Sequence, residues 1–413
     1  MPHSSQLKIL VLSDIHFIKD VAIDTNAELS EAVLEFAAQI RGRFGGVDII
    51  AVCGDIAYSG LVEEYARAST FLANLEVALG GARIVVIPGN HDIYLKATLS
   101  AEQRVLRGRP RQGRLRDGER DRELNNILSD HREGPELLEP LQAYLNFAAQ
   151  FGCEFGPPQP YWEIDVPING RLMARMRGLT SVLVSDVNDK VDLLLLSGMQ
   201  TSSIARREPG VLSISLCHHP FEWLLDGHEQ RDRLDHRCAL QISGHVHRQQ
   251  LRPTESGLHL LTGAMQPDRS EPDWESRINL VSIVTALDGE VAKSQIEVFG
   301  IVWDKSLDRY TWEIGPVQAH FAETPLSPAA MPSLASSPAL DRLRRRLAGL
   351  SPSDRYRVSV GAGLDFAALS NLSESDIVAA MISQADAKDL LPELWEQVEL
   401  RHGNQERGAN PFR

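Results

Sequence analysis

The sequence predicts an α/β protein in which two β-sheets pack as a sandwich with helices outside, followed by a small, separate all-α domain. Three observations carry this prediction. The first half of the chain alternates short apolar runs with longer runs of helical periodicity. The second half contains many short runs that are rich in β-branched residues and divided by turn residues. A proline- and serine-rich stretch then precedes a region of almost wholly helical character.

The first half is predicted to form strands that alternate with helices. Strands are expected at Leu7–Ser13, Val47–Cys53 and Arg83–Gly89, because each is a short continuous apolar run of the kind found in strands buried on both faces. The helices are expected in AELSEAVLEFAAQIRGRFGG and LVEEYARASTFLANLEVALGG, which have helical periodicity and end in glycine pairs. This order indicates a parallel or mixed sheet covered by helices.

The second sheet is expected beyond a charged, helix-rich stretch at residues 101–150. Its strands are predicted in RLMARMRGL, SVLVS, VLSISLCHH, ALQISGH, LHLLTGA, NLVSIVTAL and AKSQIEVFGIVW. These runs place the sandwich domain at residues 1–323. Residues 324–338 contain four prolines and four serines without an apolar period and are expected to be a linker. Residues 339–413 are expected to be the helical domain.

Bulk composition narrows the class of protein. With 43% hydrophobic and 24% charged residues among 413, and no apolar run of about 18 residues, the chain is expected to fold without a membrane span. Its first residues, MPHSSQLKIL, lack the basic and apolar stretches of a signal peptide, so we expect a cytoplasmic protein. The four cysteines have no CxxC spacing, which favours buried free thiols. A formal net charge of −14 argues against broad electrostatic binding to nucleic acid.

Polar groups capable of binding metal follow five of the predicted strands. They are Asp14 and His16 after the first strand, Asp55 after the second, Asn90, His91 and Asp92 after the third, His218 and His219 after a later strand, and His245 and His247 after another. A single His-x-His at a strand end most often faces solvent. Five such clusters in order instead indicate a site, because the carboxyl ends of strands in α/β sheets are where sites are built.

The types of these residues narrow the choice of metal. Carboxylate, amide and imidazole groups without a thiolate suit Mn, Fe, Zn or Co in sites of octahedral type. They suit structural zinc poorly, because there are too many of them for one tetrahedral ion. Seven such groups fit two divalent metal ions that share one bridging carboxylate, and Mn²⁺ is the favoured ion.

The order of the motifs, D-x-H, G-D, G-N-H-D, H-H-P and G-H-x-H, resembles that of the calcineurin-like metallophosphoesterase family. The resemblance spans Leu7 to His247. It implies the two-sheet architecture of that family and a dinuclear metal centre that hydrolyses phosphate esters. It also implies the ligands of two ions: Asp14, His16 and His247 for the first, Asn90, His218 and His245 for the second, with Asp55 bridging them.

The same resemblance assigns roles to neighbouring residues. His91 is expected to protonate the leaving oxygen or stabilise the phosphoryl group, and Asp92 to orient the His91 imidazole. Of the two adjacent histidines, the family pattern favours His218 as the ligand. His219 is then a partner of the ligands or a contact for substrate.

An arginine-rich stretch follows the third motif. RVLRGRPRQGRLRDGER carries seven arginines between residues 104 and 120. One interpretation is a segment that lies over the metal centre and holds substrate phosphates through Arg104 and Arg107. The alternative is a solvated, partly disordered loop, since acidic residues and glycines interrupt the positive charge.

The helical tail has a resemblance of its own. LRRRLAGL, GLDFAALS and SESDIVAAMISQADAKDLLPELWEQVELRHGN resemble effector-associated domains, the small death-fold-like helical adaptors of bacterial conflict systems. This resemblance implies recruitment of a protein partner that carries a similar domain. The alternative is an ordinary helical extension that stabilises a dimer or covers the sandwich.

These observations predict a metal-dependent phosphodiesterase of nucleotides or nucleic acid that acts as a bacterial defence effector. Two alternatives remain open: a phosphomonoesterase, including a protein phosphatase, and a non-catalytic scaffold with a vestigial metal site. The complete set of ligand-type residues argues against the scaffold, because loss of catalysis would be expected to leave at least one ligand substituted.

Overall fold

The apolar runs of the sequence form the strands of two β-sheets. The structure, a computed structural model of the chain, describes residues 5–20, 24, 27–94, 96–204, 208–267, 274–315, 317–326, 343–344, 346–347, 350–364, 377–378, 380–382, 385 and 390–402. The chain divides into two compact units, Met1–Ala329 and Ala330–Arg413.

The described part of the first unit contains thirteen strands and eight α-helices. The strands are β1 (Ser5–Leu12), β2 (Ile49–Cys53), β3 (Arg83–Ile87), β4 (Tyr161–Asn169), β5 (Leu172–Leu179), β6 (Val211–Cys217), β7 (Leu240–Ser243), β8 (Gln250–Pro253), β9 (Leu258–Leu261), β10 (Arg277–Asp288), β11 (Val291–Asp304), β12 (Arg309–Trp312) and β13 (Ala319–Pro325). The helices are α1 (Ala27–Phe44), α2 (Val62–Leu79), α3 (Ala101–Gly108), α4 (Asp117–Ser129), α5 (Glu133–Leu138), α6 (Gln142–Ala148), α7 (Gly198–Thr201) and α8 (Gly227–Asp235).

Both sheets are mixed. In the first sheet the order is β12-β11-β10-β1-β2-β3, and β13 also pairs with β11. Its strands β1, β2 and β3 are parallel, whereas β10 runs antiparallel to both β1 and β11. In the second sheet the order is β4-β5-β6-β7-β9-β8, with β5, β6, β7 and β9 parallel and the two outer pairs antiparallel.

The two sheets pack against each other and the helices cover them. The Sγ atom of Cys53 on β2 lies 3.5 Å from the carbonyl oxygen of Ile242 on β7. The indole Nε1 of Trp162 on β4 donates to the carbonyl of Val86 on β3 at 2.8 Å. The first helix buries Leu29, Val33, Phe36 and Ile40, the spacing of one helical face. The predicted fold, two sheets flanked by helices, is confirmed. The runs NLVSIVTAL and AKSQIEVFGIVW are predicted for the second sheet, but they form β10 and β11 of the first, because β10 pairs with β1.

One predicted strand is not a strand. The run SVLVS at residues 181–185 is buried but has an irregular backbone. Its carbonyl groups accept hydrogen bonds from arginine side chains instead of a neighbouring strand: Arg111 donates to Val184 at 2.7 Å and Arg107 to Ser185 at 3.1 Å. Side chains therefore supply the hydrogen bonds of these backbone carbonyls in place of a neighbouring strand. Local strand propensity does not predict such contacts.

The predicted linker at residues 324–338 begins too early. Thr324 pairs with Ala292 and Pro325 with Val291, so both are the last residues of the edge strand β13. The Pro325 carbonyl also accepts a hydrogen bond from the Gly210 amide at 2.7 Å. Proline fits here because an edge strand needs no donor on its outer side. Residues 327–338 lie outside the described residues.

The second unit is helical where it is described. Its described helices are α9 (Pro352–Gly361) and α10 (Leu391–His402). The side chain of Ser351 caps α9 by accepting from the Asp354 amide at 3.2 Å. A separate apolar cluster contains Leu343, Leu347, Leu350, Val358, Ala362, Leu364, Val378, Met381, Ile382, Ala385, Leu394, Trp395 and Val398. None of the helices in the described ranges has the length and apolar character needed to cross a membrane.

Candidate metal centre

The carboxyl ends of five strands bring the predicted ligands together. Four overlapping groups each hold ligand atoms within 4.8 Å of one another. They are Asp14 with His16 and His247, Asp14 with Asp55 and His218, His16 with Asp55 and His91, and His218 with His219 and His245. Residues separated by more than 200 positions in the chain therefore form one continuous cluster of oxygen and nitrogen donors.

The backbone of these residues is strained in a consistent way. Asp14, His16, Asp55, His245 and His247 have φ angles of 53°, 51°, 51°, 68° and 55°. These values lie in the left-handed region, which costs a residue with a side chain roughly 1–2 kcal/mol. Such strain persists where the surroundings impose it, and it concentrates at functional sites. The ligands that follow β1, β2 and β7 thus share this left-handed backbone conformation.

Glycine permits the close approach of two of these strand ends. Gly54 has φ +85°, and a Cβ atom there would lie less than 3.0 Å from Nδ1, Cγ and Cβ of His218. A Cβ atom at Gly244 would likewise overlap the Ser13 hydroxyl and lie 3.1 Å from Asp14 Oδ2. The glycines of the G-D and G-H-x-H motifs are therefore required by the packing of the ligands.

The two aspartates are fixed by backbone amides and face the histidines. Oδ2 of Asp14 accepts the His245 amide at 3.1 Å, and Oδ1 lies 3.4 Å from Nε2 of His247. Oδ1 of Asp55 accepts the His91 amide at 2.8 Å, and its Oδ2 lies 3.3 Å from Nε2 of His218. Each carboxylate thus uses one oxygen to hold the loop and directs the other into the cluster.

The hydrogen bond of His218 defines its tautomer. Its Nδ1 lies 2.8 Å from the carbonyl oxygen of Cys53, and a carbonyl only accepts, so Nδ1 carries the proton. When a metal ion replaces the proton on the other nitrogen, the lone pair of Nε2, which faces Asp55, becomes available for binding. This is the usual arrangement of a metal-binding imidazole, whose second nitrogen donates to a neighbouring group.

His219 belongs to the same cluster, but both of its ring nitrogens have partners. Its Nδ1 lies 2.8 Å from the Ser181 hydroxyl and its Nε2 lies 3.0 Å from Oδ1 of Asn90. His218 is accordingly the better candidate ligand of the pair, and His219 is placed to orient the Asn90 amide.

Electrostatics of the cluster favour bound cations. Burial would raise the pKa of Asp14, but the neighbouring His247 imidazole and the charge of His218 lower it to about 2. Burial would lower the pKa of His218, but the carboxylates of Asp55 and Asp14 raise it to about 9. Burial lowers the pKa of His245 to about 3, so that ring is neutral. Ionised carboxylates beside neutral imidazoles form a negative, lone-pair-rich site, and metal ions would replace the proton on His218.

The polar atoms of the cluster fit metal ions. Among the described residues, Asp14 Oδ1, His16 Nδ1 and His218 Nε2 are buried without a hydrogen-bond partner. An unsatisfied buried polar group costs about 1–3 kcal/mol, and more when charged. Three such atoms in one cluster are explained by coordination to cations, which carboxylate and imidazole groups bind well.

The predicted role of Asp92 is wrong. Asp92 is fully buried, and its carboxylate accepts from the amides of Gly89 and Ala57 at 2.8 and 3.0 Å and from the Tyr65 hydroxyl at 2.9 Å. The His91 ring is held instead by the Tyr58 carbonyl, which lies 2.8 Å from Nδ1. Burial and the charge of Asp55 raise the pKa of Asp92 to about 6. Asp92 therefore fixes the loops that carry His91 and does not touch its imidazole.

The arginine-rich stretch is folded, and four of its inner arginines bind groups of the protein. It forms α3, a turn and the start of α4. Its inner arginines bind protein groups: Arg107 to the carbonyls of Ser185 and Leu137, Arg109 to Glu123 and Glu133, Arg111 to Asp186, and Arg120 to the Pro110 carbonyl. Arg107 is fully buried, so the prediction that it holds substrate is wrong. Arg104 is exposed and donates to the Leu99 carbonyl, and its role in substrate binding stays a prediction.

Two aromatic residues that lie beside the cluster were not predicted from the sequence. The Tyr58 ring lies 5.4 Å from the His91 ring, and the Trp223 ring lies 4.1 Å from the His245 ring, edge to face. Tyr58 lies three residues after Asp55 within GDIAYSG. Its closeness to the second motif in sequence could have indicated that it lies beside the metal centre.

Comparison with known proteins agrees with this geometry. A family model of the calcineurin-like phosphoesterases matches residues 7–249, more than half of the chain. The chain belongs to the calcineurin-like phosphoesterase family. No curated protein matches the sequence.

Three solved structures illustrate how remote the structural relatives are. A Streptococcus pneumoniae protein described as a predicted phosphoesterase has 14% identity, covers 76% of this chain and 97% of its own, and has a TM-score of 0.30. Purple acid phosphatase PPD1 of yellow lupin has 13% identity, covers 77% of this chain and 54% of its own, and has a TM-score of 0.40. Vacuolar protein sorting 29 of Cryptosporidium parvum has 14% identity, covers 78% and 99%, and has a TM-score of 0.31. The family assignment therefore depends on the family model.

The chain is thus a metal-dependent hydrolase of phosphate esters, as predicted. Its family and its clusters of histidines and aspartates indicate a centre for two divalent metal ions.

Proposed function

We propose that the protein is a phosphodiesterase that acts on nucleotides or nucleic acid. The observation that carries this proposal is that the inner arginines of segment 104–120 bond to groups of the protein itself. The inner arginines, Arg107, Arg109, Arg111 and Arg120, bind carbonyls and carboxylates of the protein. A phosphodiester carries one negative charge where a phosphomonoester carries about two near neutral pH, so it depends less on cations beyond the metal ions.

We assign the residues of the centre as follows. Asp14, His16 and His247 would hold one ion, Asn90, His218 and His245 would hold the other, and Asp55 would bridge them. When bound, two divalent ions neutralise the charge on the phosphoryl oxygens and make a water molecule more acidic. Mn²⁺ is the ion that we favour for this mixed set of oxygen and nitrogen donors.

His91 is proposed to protonate the leaving oxygen. The Tyr58 carbonyl fixes a proton on Nδ1, so a second proton on Nε2 makes the ring a donor directed away from Tyr58. The His91 ring lies 4.7 Å from that of His16, which places it beside the first group of ligands. A donor so placed supplies its proton as the ester bond breaks.

The helical unit is proposed to recruit a protein partner with a similar helical domain and so to deliver the enzyme as a bacterial defence effector. Two features support this: the resemblance of residues 339–413 to effector-associated domains, and an apolar core of its own in that unit. A partner of that kind should copurify with the full chain and be lost when residues 330–413 are removed. A partner that stays bound to the remaining unit would contradict this proposal.

The enzymatic proposal is tested by hydrolysis of bis-p-nitrophenyl phosphate and p-nitrophenyl phosphate with Mn²⁺ and after chelation. We expect metal-dependent hydrolysis that prefers the diester and is abolished in Asp55→Ala; His91→Ala should reduce it only in part, because p-nitrophenolate leaves without a proton. His131→Ala, which removes an exposed histidine outside the cluster, is the matched control and should behave as the wild type. A preference for the monoester would replace the proposal with a phosphatase. No turnover with any metal, in full-length and tail-deleted protein alike, would favour the scaffold.

A further inference from the structure

One aromatic side chain stands exposed beside the proposed proton donor. Tyr58 is 53% exposed, although large aromatic side chains usually bury most of their surface. Its ring centroid lies 5.4 Å from that of His91, with 44° between the planes, and 6.2 Å from that of His16. The ring therefore borders the side of the cluster on which His91 lies and keeps a surface open to a ligand.

The backbone of Tyr58 is held rigidly. Its amide donates to the Phe17 carbonyl at 3.0 Å, and the amide of the preceding Ala57 donates to the buried Asp92 carboxylate at 3.0 Å. Its carbonyl in turn accepts a hydrogen bond from Nδ1 of His91 at 2.8 Å. One residue thus positions His91 through its backbone and presents an aromatic ring next to the same imidazole.

We propose that Tyr58 determines specificity by stacking on a planar ring carried by the ester group that leaves beside His91. The preferred substrates are then phosphate esters of aromatic or nucleobase-bearing alcohols. This inference rests on the proposed function, because the leaving oxygen must lie within hydrogen-bond reach of His91 for the attached group to reach Tyr58. Aromatic rings attract one another at centroid separations of 4.5–7 Å, and stacking on a tyrosine accepts any base because every base has a π-face.

The test compares two ligands that differ in one ring. Benzylphosphonate and ethylphosphonate both place a CH₂ group where the ester oxygen of a substrate would stand, and neither contains a bond that ester hydrolysis can break. Their dissociation constants are measured by isothermal titration calorimetry on the full chain loaded with Mn²⁺. We expect wild type to bind benzylphosphonate about tenfold more tightly, the size expected for one stacked ring.

Three variants isolate the ring. Tyr58→Leu should bring the two dissociation constants close to each other, whereas Tyr58→Phe should keep the preference because the ring remains. All Tyr58 variants retain the carbonyl that holds His91. Tyr356→Leu, which removes a tyrosine that is 51% exposed in the helical unit, is the matched control and should keep the preference.

The outcomes separate this inference from the proposed function. Equal affinities in wild type, or an unchanged preference in Tyr58→Leu, would overturn the role of Tyr58 even if the diester is hydrolysed. A preference that depends on the Tyr58 ring would support it even if bis-p-nitrophenyl phosphate is not turned over, and only the proposed function would then fail.

Discussion

Substitution of Gly54 by alanine tests the packing of the metal centre. The position has φ +85°, and an added Cβ would lie less than 3.0 Å from three atoms of the fully buried His218 side chain. The left-handed conformation costs roughly 1–2 kcal/mol for alanine, and overpacking against a buried ring adds about 1–3 kcal/mol. We therefore expect the free energy of unfolding to fall by about 3 kcal/mol.

The same substitution should weaken metal binding. Displacement of His218 breaks the hydrogen bond from its Nδ1 to the Cys53 carbonyl, and loss of such a partner typically reduces metal affinity by about 10–100-fold. Unfolding is measured in urea with chelator, which removes the contribution of bound metal to stability. The affinity for Mn²⁺ is measured separately by calorimetric titration.

Gly45→Ala is the matched control. Gly45 has φ +76°, and an added Cβ would meet nothing within 4 Å. The free energy of unfolding of this variant should fall only by the conformational cost of about 1–2 kcal/mol, and the variant should bind Mn²⁺ as the wild type does. If both variants lose the same stability and retain the same affinity, the close approach of Gly54 to His218 does not hold the centre together.

Three further predictions concern His91, Arg107 and His259. His91→Ala should slow hydrolysis of a diester with an alkyl leaving group by about 10²–10⁴-fold, and that of bis-p-nitrophenyl phosphate less, because p-nitrophenolate leaves without a proton; steady-state kinetics measure both. Arg107→Met should lower the free energy of unfolding in urea by about 3 kcal/mol, because it leaves two buried carbonyls without a donor, and should leave the KM for the diester unchanged. Burial lowers the pKa of His259 from 6.5 to about 3, so the unfolded chain takes up a proton below pH 6.5 before the folded one does. The unfolding free energy of wild type should thus fall, relative to His259→Gln, by about 2 kcal/mol between pH 6.5 and 4.5.

Each of these predictions has a contrary result. Equal losses on both diesters in His91→Ala would remove the proton-donor role. A raised KM with unchanged stability in Arg107→Met would instead show that this arginine binds substrate. Parallel pH profiles for wild type and His259→Gln would contradict this prediction, because they would show that the imidazole, which bonds to Ser243 at 2.9 Å, has the same pKa in the folded and the unfolded chain.

The metal centre was predictable because its signal is local. Each motif couples a strand end to a ligand within two or three residues, as in Asp14 and His16 or His245 and His247, and parallel strands must bring such ends to one edge. The glycines before Asp55 and His245 belong to the same short motifs.

The failures depended on contacts between distant residues. Arg107 reaches Ser185 across 78 positions, and nothing in either local sequence announces that pairing. Asp92 stands next to His91 in sequence, yet its carboxylate turns toward backbone amides on another loop. The same charged side chain can bond to a buried backbone group or face a ligand at the surface. Composition does not distinguish these two cases, because the outcome depends on packing against distant residues.

The central claim, a two-ion centre that hydrolyses phosphodiesters, is tested most directly by titrating metal-free protein with Mn²⁺ while following bis-p-nitrophenyl phosphate hydrolysis. We predict that activity is absent in chelator and rises to a plateau at two Mn²⁺ per chain. A plateau at one ion per chain, or hydrolysis that persists in chelator, would contradict the assignment of two ions bridged by Asp55.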